Sequence, residues 1–452
     1  MMRRRWATRL MGTLALLGAG LFPTGPAWAD EQGDRIKALE KRLERSVQLI
    51  ETLSARVAEL ERQTRGPAPK AEGERAAAHA EQAKDIVQLQ ESVSQISSGL
   101  SRREDDKGLP VHGFADVGAG WSGRADPHRL RGFSVGTLDL YLTPQFGDRV
   151  KALAEIAFEF ERDGQAEVEV ERLQLGYTVS DAVTVWAGRF HTPFGLWNTS
   201  YHHGANLQTS IYRPRFVEFE DKGGIIPAHS VGLWASGKTR LGPGKLTYDA
   251  YLANGPSIQQ SRLDPNTFTD DNSGKMLGFN LGYQPSGALG GLTAGLHGFG
   301  STVNAYSSAD TTLNRTRLRM AGAYFGYDAN DWEAIGEFYS FNNADVAGGP
   351  SRSSRAWFVH AGRVFGLLTP FVRYEHTTLD PQDNYFRSQL AGRSYRRSVV
   401  GARYAMDSGS SLKLELSRTN EVASTLFDDG GNAVLFPAAV YRRASIQYSI
   451  AF

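Results

Sequence analysis

The sequence contains no cysteine, which excludes disulfides, thiolate metal centres and cysteine nucleophiles. Beyond the N-terminus it has no apolar run of about 18 residues, the length a membrane-spanning helix needs. It also lacks an excess of charge of either sign. Lys plus Arg number 50 and Asp plus Glu 49, so no global basic field argues for nucleic acid. No GxSxG, Walker or zinc-protease pattern occurs, and nothing calls for catalysis or a cofactor. What the chain does have is 49 glycines and 11% aromatic residues, at a mean hydropathy of −0.37. A barrel of strands looks hydrophilic on average, because only alternate residues face lipid. A large soluble β protein fits the same totals, so the order of residues along the chain has to decide.

Arg3, Arg4, Arg5 and Arg9 precede an apolar stretch from Leu10 to Phe22 and then Ala27-Trp28-Ala29. A basic start, a short apolar core and a small-x-small site predict a signal peptide over 1–29, cut before Asp30. Over 30–65, Ile36, Leu43, Ile50 and Val57 recur every seven residues, with Leu39, Leu53 and Leu60 at the companion position. Charged residues flank this narrow stripe, which predicts a coiled coil, hence self-association. Residues 66–110 read as a linker. Gly66-Pro67-Ala68-Pro69 breaks the first helix, and Ile86, Leu89, Val93, Ile96 and Leu100 resume the heptad in a shifted phase. An amphipathic helix lying against a barrel is the alternative.

From Val111 to Phe452 a period of two replaces the helical one. The last strand shows it most clearly: Ala444, Ile446, Tyr448, Ile450 and Phe452 alternate with Arg443, Ser445, Gln447, Ser449 and Ala451. Exposed to water, such a strand is an aggregation hazard; with lipid on one side and a wet lumen on the other it is a barrel strand. Tyr448, Ile450 and Phe452 also resemble the C-terminal signal by which the barrel-assembly machinery recognises bacterial outer-membrane barrels. About sixteen such runs are expected, near 111–121, 132–144, 149–162, 166–179, 182–190, 229–237, 244–254 and 274–285, then 290–302, 314–327, 331–342, 353–364, 368–378, 396–405, 410–420 and 438–452. Tight links follow the even-numbered strands and longer links mostly the odd ones, the asymmetry of outer-membrane barrels, and both barrel ends fall on the short-turn side. The expected fold is therefore all-β, an antiparallel transmembrane β-barrel of about sixteen strands preceded by an α-helical coiled coil in the periplasm.

Charges on lipid-facing positions cost about 2–4 kcal/mol each at the bilayer midplane, so the charged face of each strand is expected to be lumenal. This assigns Glu155, Glu159, Glu161, Glu167, Glu169 and Glu171 to one wall. Arg172 breaks the parity of its strand, a sign of a bulge. Arg315, Arg317, Arg319, Arg373, Arg397, Arg403 and Arg443 are expected on the other wall. Opposed walls of unlike charge set up a field across a channel; alternatively the charges pair with one another and keep the lumen hydrated.

The link 191–228 is the longest, and a loop this long is usually functional. It carries Arg213 and Arg215, with Arg189 just before it. In a barrel of this size it can fold inward and set the narrowest point. His191, His202, His203 and His229 cluster nearby, but without ordered ligand spacing they read as polar surface, and no metal is expected.

Arg172-Leu-Gln-Leu-Gly-Tyr177, Gly188-Arg-Phe-His-Thr-Pro-Phe-Gly195 and Tyr248-Asp-Ala-Tyr-Leu-Ala-Asn-Gly255 resemble stretches of the phosphate-selective porin O/P family. The layout of signal, coiled coil and barrel resembles the DcaP-type trimeric porins of the Gram-negative outer membrane. The resemblance implies a sixteen-stranded homotrimer with a long inward loop and an anion pathway lined by basic residues. The arginines at 189, 213, 215, 315, 317, 319, 373 and 403 would be its counterparts by kind. The glutamates between 155 and 171 depart from an all-basic lumen. The reading that results is passive diffusion of small hydrophilic solutes, anions favoured, across an outer membrane. The alternative is a structural sheath or envelope tether for a periplasmic partner.

Overall fold

The computed structural model describes residues 111–126, 130–146, 148–160, 166–201, 207–267 and 269–452. The chain divides into two units, 1–107 and 108–452, and every described residue lies in the second. The expected signal peptide, coiled coil and linker lie outside the described residues, as do Glu161, His202 and His203.

Sixteen long strands form the second unit. The first eight are β1 (Val111–Ser122), β2 (Arg131–Leu142), β3 (Val150–Phe160), β4 (Ala166–Ser180), β5 (Val183–His191), β6 (His229–Leu241), β7 (Gly244–Ala253) and β8 (Met276–Gln284). The rest are β9 (Leu292–Tyr306), β10 (Thr312–Ala329), β11 (Trp332–Asp345), β12 (Arg352–Arg363), β13 (Leu368–Thr378), β14 (Tyr395–Ala405), β15 (Ser410–Glu421) and β16 (Ala439–Ala451). Each pairs antiparallel with the next, and β16 returns to β1 with Phe114 opposite Ala451 and Ser122 opposite Arg443. The sheet is a closed barrel with no free edge. All sixteen expected strands are present, with ends displaced by a few residues.

The turn asymmetry has a local cause. Between β10 and β11, Ala329 pairs with Trp332, and the two linking residues Asn330 and Asp331 have φ of 52° and 63°. This is the two-residue type I′ turn whose twist matches antiparallel strands. Gly242-Pro243 makes a similar link between β6 and β7, with Gly242 at φ 57°. The links at the other end are longer, above all 192–228, 254–275, 379–394 and 422–438.

Burial alternates along the strands with a period of two. On β15, Leu412, Leu414 and Leu416 are exposed, while Lys413 and Glu415 are each only 1% exposed. Apolar side chains thus form an outer belt and charged ones face inward, the reverse of a soluble protein and the arrangement a bilayer requires. A bulge sits where Arg172 breaks parity. Glu155 pairs with Arg172 but Ile156 pairs with Val170, leaving Glu171 unmatched. The extra residue lets both Glu171 and Arg172 turn inward, and Arg172 ion-pairs with Glu155.

The arginine ladder of β10 is a correction. Arg315, Arg317 and Arg319 are exposed on the outer wall, whereas Thr316, Leu318 and Met320 between them are buried inside. Two physical facts reverse the expected faces. β10 has 18 residues, while a tilted strand crosses the hydrocarbon in about 9–11. Its first third therefore rises past the apolar layer, where an outward charge costs little. Inside, Leu318 and Met320 meet an apolar cluster with Phe299, Phe341 and the long loop's Phe194 and Phe216, so the lumen there is not wet.

Candidate functional site

The lumen is divided by the loop 192–228, which begins at β5 and crosses to the opposite wall. Its first part contains a one-turn helix, α1 (Trp197–Ser200). Phe194, Trp197, Phe216 and Ile226 bury themselves among Tyr339, Phe341 and Phe358 of β11 and β12, which accounts for the apolar inner face of those strands. One carboxylate fixes the entry angle. Glu337 accepts the backbone N–H of Leu196 at 2.9 Å and of Trp197 at 2.5 Å, and the Tyr339 hydroxyl as well. Orphan N–H groups at a helix start are thereby satisfied by a negative charge.

The second part, 207–215, runs along β13–β15 and is held through its backbone as well as through the side chains of Thr209, Tyr212, Arg213 and Arg215. Glu415 accepts the N–H of Ile211 at 2.9 Å, and Glu375 accepts that of Arg215 at 2.8 Å. Lys413 donates to the carbonyls of Gln208 and Ser210, at 2.6 and 3.2 Å. Arg373 donates to the Tyr212 carbonyl at 3.0 Å and to the Ser210 hydroxyl at 2.9 Å, while its Nε binds Glu375 at 2.9 Å. Arg373 is thus sealed beneath the loop instead of facing solute. Arg213 is likewise buried, donating to the Val217 and Tyr201 carbonyls and the Asn198 side chain. Burial pulls its guanidinium below the ordinary arginine range, against the lift from Glu218.

The wall across from β3 and β4 is not uniformly basic. Glu337, Glu375, Glu415 and Glu421 stand among Arg373, Arg397 and Lys413 on the inner faces of β11–β15. Sequence reasoning passed over Lys413, Glu415 and Glu421, although their alternation with Leu412, Leu414 and Leu416 marks them. Glu337 carries no such mark, since its inward neighbours Ile335, Tyr339 and Phe341 are apolar or aromatic.

On the long-loop side, a cavity of about 290 Å³ remains beside the loop. Arg215, Lys222, Arg262, Arg393, Arg397 and Arg443 line it, against Glu218 and Asp221. The neutralising carboxylates stand behind the guanidinium groups. Glu421 pairs with Arg215 and with Arg393 at 2.6 Å, Glu415 with Arg397 at 3.6 Å, and Asp126 with Arg443 at 2.5 Å. The pairs present their positive ends to the cavity. Lys222 reaches Glu159 of β3. Asp221 is open to the cavity but enclosed by the barrel's mass. Burial, helped by Glu159, Glu220 and Glu218 and opposed by Lys222, pushes its carboxyl up to about 6. Arg403 lies on the inner face of β14 below Arg397, half-buried. At the short-turn side a second cavity, about 510 Å³, is lined by Tyr201, Lys245, Gln284, Asp328 and Glu333 among others.

The loop's root on β3–β6 is an ion-pair cluster. His229 binds Glu220 through Nδ1 at 2.9 Å and Glu171 through Nε2 at 2.8 Å. Two carboxylate acceptors require two N–H donors, so this ring is an imidazolium. Burial raises Glu220, but the charge and hydrogen bonds of His229 outweigh it and leave the carboxyl below its usual value. Arg189 meets Glu171 at 3.4 Å, and His191 meets Glu155 at the same distance. These two histidines belong to a packed cluster, not to the polar surface expected. Glu169 is half-buried, and Glu167 is exposed opposite Glu159 in the β3–β4 ladder. Tyr448 and Ile450 lie on the outward face of β16. Phe452 closes the ring through paired backbone bonds with Gly113 of 2.9 and 3.0 Å.

A closed sixteen-stranded antiparallel barrel with an apolar belt, a charged interior and one long loop folded inside is the porin fold. One solved structure supports the fold, and two further ones are similar at lower scores. An anion-selective porin from Comamonas acidovorans aligns over 76% of this chain and 98% of its own, with a TM-score of 0.52 at 15% identity. OmpT, an outer membrane protein of Vibrio cholerae, in trimer form covers 76% and 98% at a TM-score of 0.49 and 11% identity. The outer membrane channel DcaP of Acinetobacter baumannii covers 76% and 96% at 0.47 and 12%. No protein-family model and no curated protein sequence matches the chain.

Proposed function

We propose that this chain is an outer-membrane porin through which small hydrophilic solutes diffuse passively, anions in preference to cations. The observation that carries the reading is the cavity beside the inward loop, which six cationic side chains and two carboxylates line, while the carboxylates that pair with the arginines stand behind them. Low-dielectric walls strengthen such a field and raise the local concentration of anions. The C. acidovorans barrel, which has the same fold, is anion-selective. The pore-lining role falls to Arg215, Arg393, Arg397, Arg403 and Arg443, with Arg262 and Lys222 at the loop side. Arg213 and Arg373 act by holding the loop in place. Glu155, Glu159, Glu167, Glu169 and Glu171 temper the preference from the facing wall. The chain assembles as a homotrimer in a Gram-negative outer membrane after insertion by the barrel-assembly machinery, with the 30–65 coiled coil in the periplasm. Light scattering of the detergent-purified protein reports the copy number, and a monomeric mass removes the trimer.

Reversal potentials in planar bilayers under a salt gradient test the selectivity. The wild-type barrel conducts ohmically and favours the anion. Arg393→Ser with Arg397→Ser lowers the anion/cation permeability ratio several-fold. Arg315→Ser, Arg317→Ser and Arg319→Ser together leave it unchanged, because those side chains are outside. Absence of conductance, or a ratio that follows the outer triple change, refutes the proposal.

A further inference from the structure

The outer wall at the long-loop end carries a second basic cluster that solute in the lumen cannot reach. Arg396 on β14, Arg418 on β15, Arg442 on β16 and Arg131 on β2 all stand exposed on the outward face. Arg418 and Arg442 are direct partners in the β15–β16 ladder. Like charges placed opposite one another destabilise a sheet, so the pair calls for a compensating anion. The outward faces of β14, β15 and β16 bear no Asp or Glu, and none of the four arginines makes an ion pair with a described residue. One step beneath Arg418 and Arg442 on the same face runs an apolar row, at whose end Trp121 is itself the ladder partner of Arg131. Trp121 pairs with Ala444, Ala444 with Leu416, and Leu416 with Val400. The small Ala444 leaves a groove between larger neighbours, with a volume of about 550 Å³.

We infer that this groove is a binding site for a multiply phosphorylated glycolipid of the outer leaflet. An acyl chain lies along Trp121, Ala444, Leu416 and Val400, and phosphates sit among Arg396, Arg418, Arg442 and Arg131. The inference rests on the barrel spanning the membrane as proposed above, with its long loops outward. Charge complementarity selects the occupant. Adjacent strands are about 4.8 Å apart, so the four arginines from β14 to β2 spread over roughly 20 Å. A single phosphodiester offers one charge at one point and cannot meet them. A headgroup with two phosphates on separate sugars offers several charges at a matching spread, each suited to bidentate guanidinium bonds. The groove supplies the apolar half of the site.

The full-length protein in detergent is mixed with a bis-phosphorylated lipid A, its monophosphorylated form, phosphatidylglycerol or inorganic pyrophosphate, and bound molecules are counted by native mass spectrometry. The wild type retains bis-phosphorylated lipid A in preference to the other three. Arg418→Ser with Arg442→Ser weakens that binding at least ten-fold while single-channel conductance stays unchanged, which also shows that the variant is folded. Arg393→Ser with Arg397→Ser does the opposite, shifting ion selectivity and sparing the lipid. Equal lipid binding by wild type and the Arg418/Arg442 variant overturns the site, as does pyrophosphate binding as tightly as lipid A. A disulfide between two copies through Ser398→Cys overturns it too, by showing the face covered by a second copy. A wild type that binds lipid A but never conducts leaves this site standing and removes the channel reading instead.

Discussion

Glu415 illustrates how single side chains in the lumen serve the loop before they serve a solute. Its carboxylate takes the N–H groups of Ile211 and Tyr212 and lies 3.6 Å from Arg397. Removing one member of a buried ion pair costs about 3–5 kcal/mol, because the partner is left charged and uncompensated. Glu415→Ala is therefore expected to lower stability by about that amount in urea unfolding and to raise open-channel current noise as the 207–215 segment loosens. Glu415→Gln keeps an acceptor for the N–H groups and should show less noise than Ala. Equal quiet in all three proteins would mean that other anchors suffice. Roles of this kind were hidden from the sequence. An inward Glu is visible from its alternation with Leu, but its partner, more than 200 residues away in the chain, is not.

At the scale of strands, legibility followed the bilayer. Where a strand crosses hydrocarbon, the energetic penalty on charge enforces a period of two, and β3, β13 and β14 could be assigned face by face. Where a strand outruns the bilayer that penalty lapses. The exposed Arg315, Arg317 and Arg319 of β10 and the buried Leu318 show the same alternation with the opposite meaning. Seam geometry gives a prediction at this scale. A Cβ on Gly113 would stand 2.5 Å from the Phe452 ring and 2.7 Å from the Asp139 carbonyl oxygen. Overpacking of this order costs about 1–3 kcal/mol. Gly113→Val is expected to reduce the folded fraction seen as heat-modifiable mobility on unboiled SDS gels, and Phe452→Leu added to it should recover only part, since the backbone oxygen remains. Full folding of Gly113→Val would show that the seam accommodates a side chain.

For the whole molecule, the lumen acts as one charged body whose balance depends on pH. Asp221 titrates near 6, above its ordinary value of 3.8. At pH 7 it is mostly ionised and offsets one cation of the cavity; as pH falls through 6 it takes up a proton and the cavity becomes more positive. The anion/cation ratio should accordingly rise between pH 7 and 5, measured as reversal potential, and Asp221→Asn should fix the high value across that range. A ratio that falls on acidification, or an unaltered pH response in Asp221→Asn, would assign the titration elsewhere.

The grip on the loop also has an evolutionary consequence. Glu337, Glu415, Glu375, Lys413 and Arg373 take hold of N–H and C=O groups at 196, 197, 208 and 210–212 and 215. Every residue offers a carbonyl, and every residue but proline offers an N–H. Substitutions at positions gripped only through these backbone groups, such as Ile211, can therefore accumulate without dislodging the crossing segment, provided proline is kept from the donor positions. Arg213 and Arg215, by contrast, also hold it through their guanidinium groups. The clamp and the side chains it displays are free to diverge at different rates, so related barrels can change what they admit while keeping the same constriction.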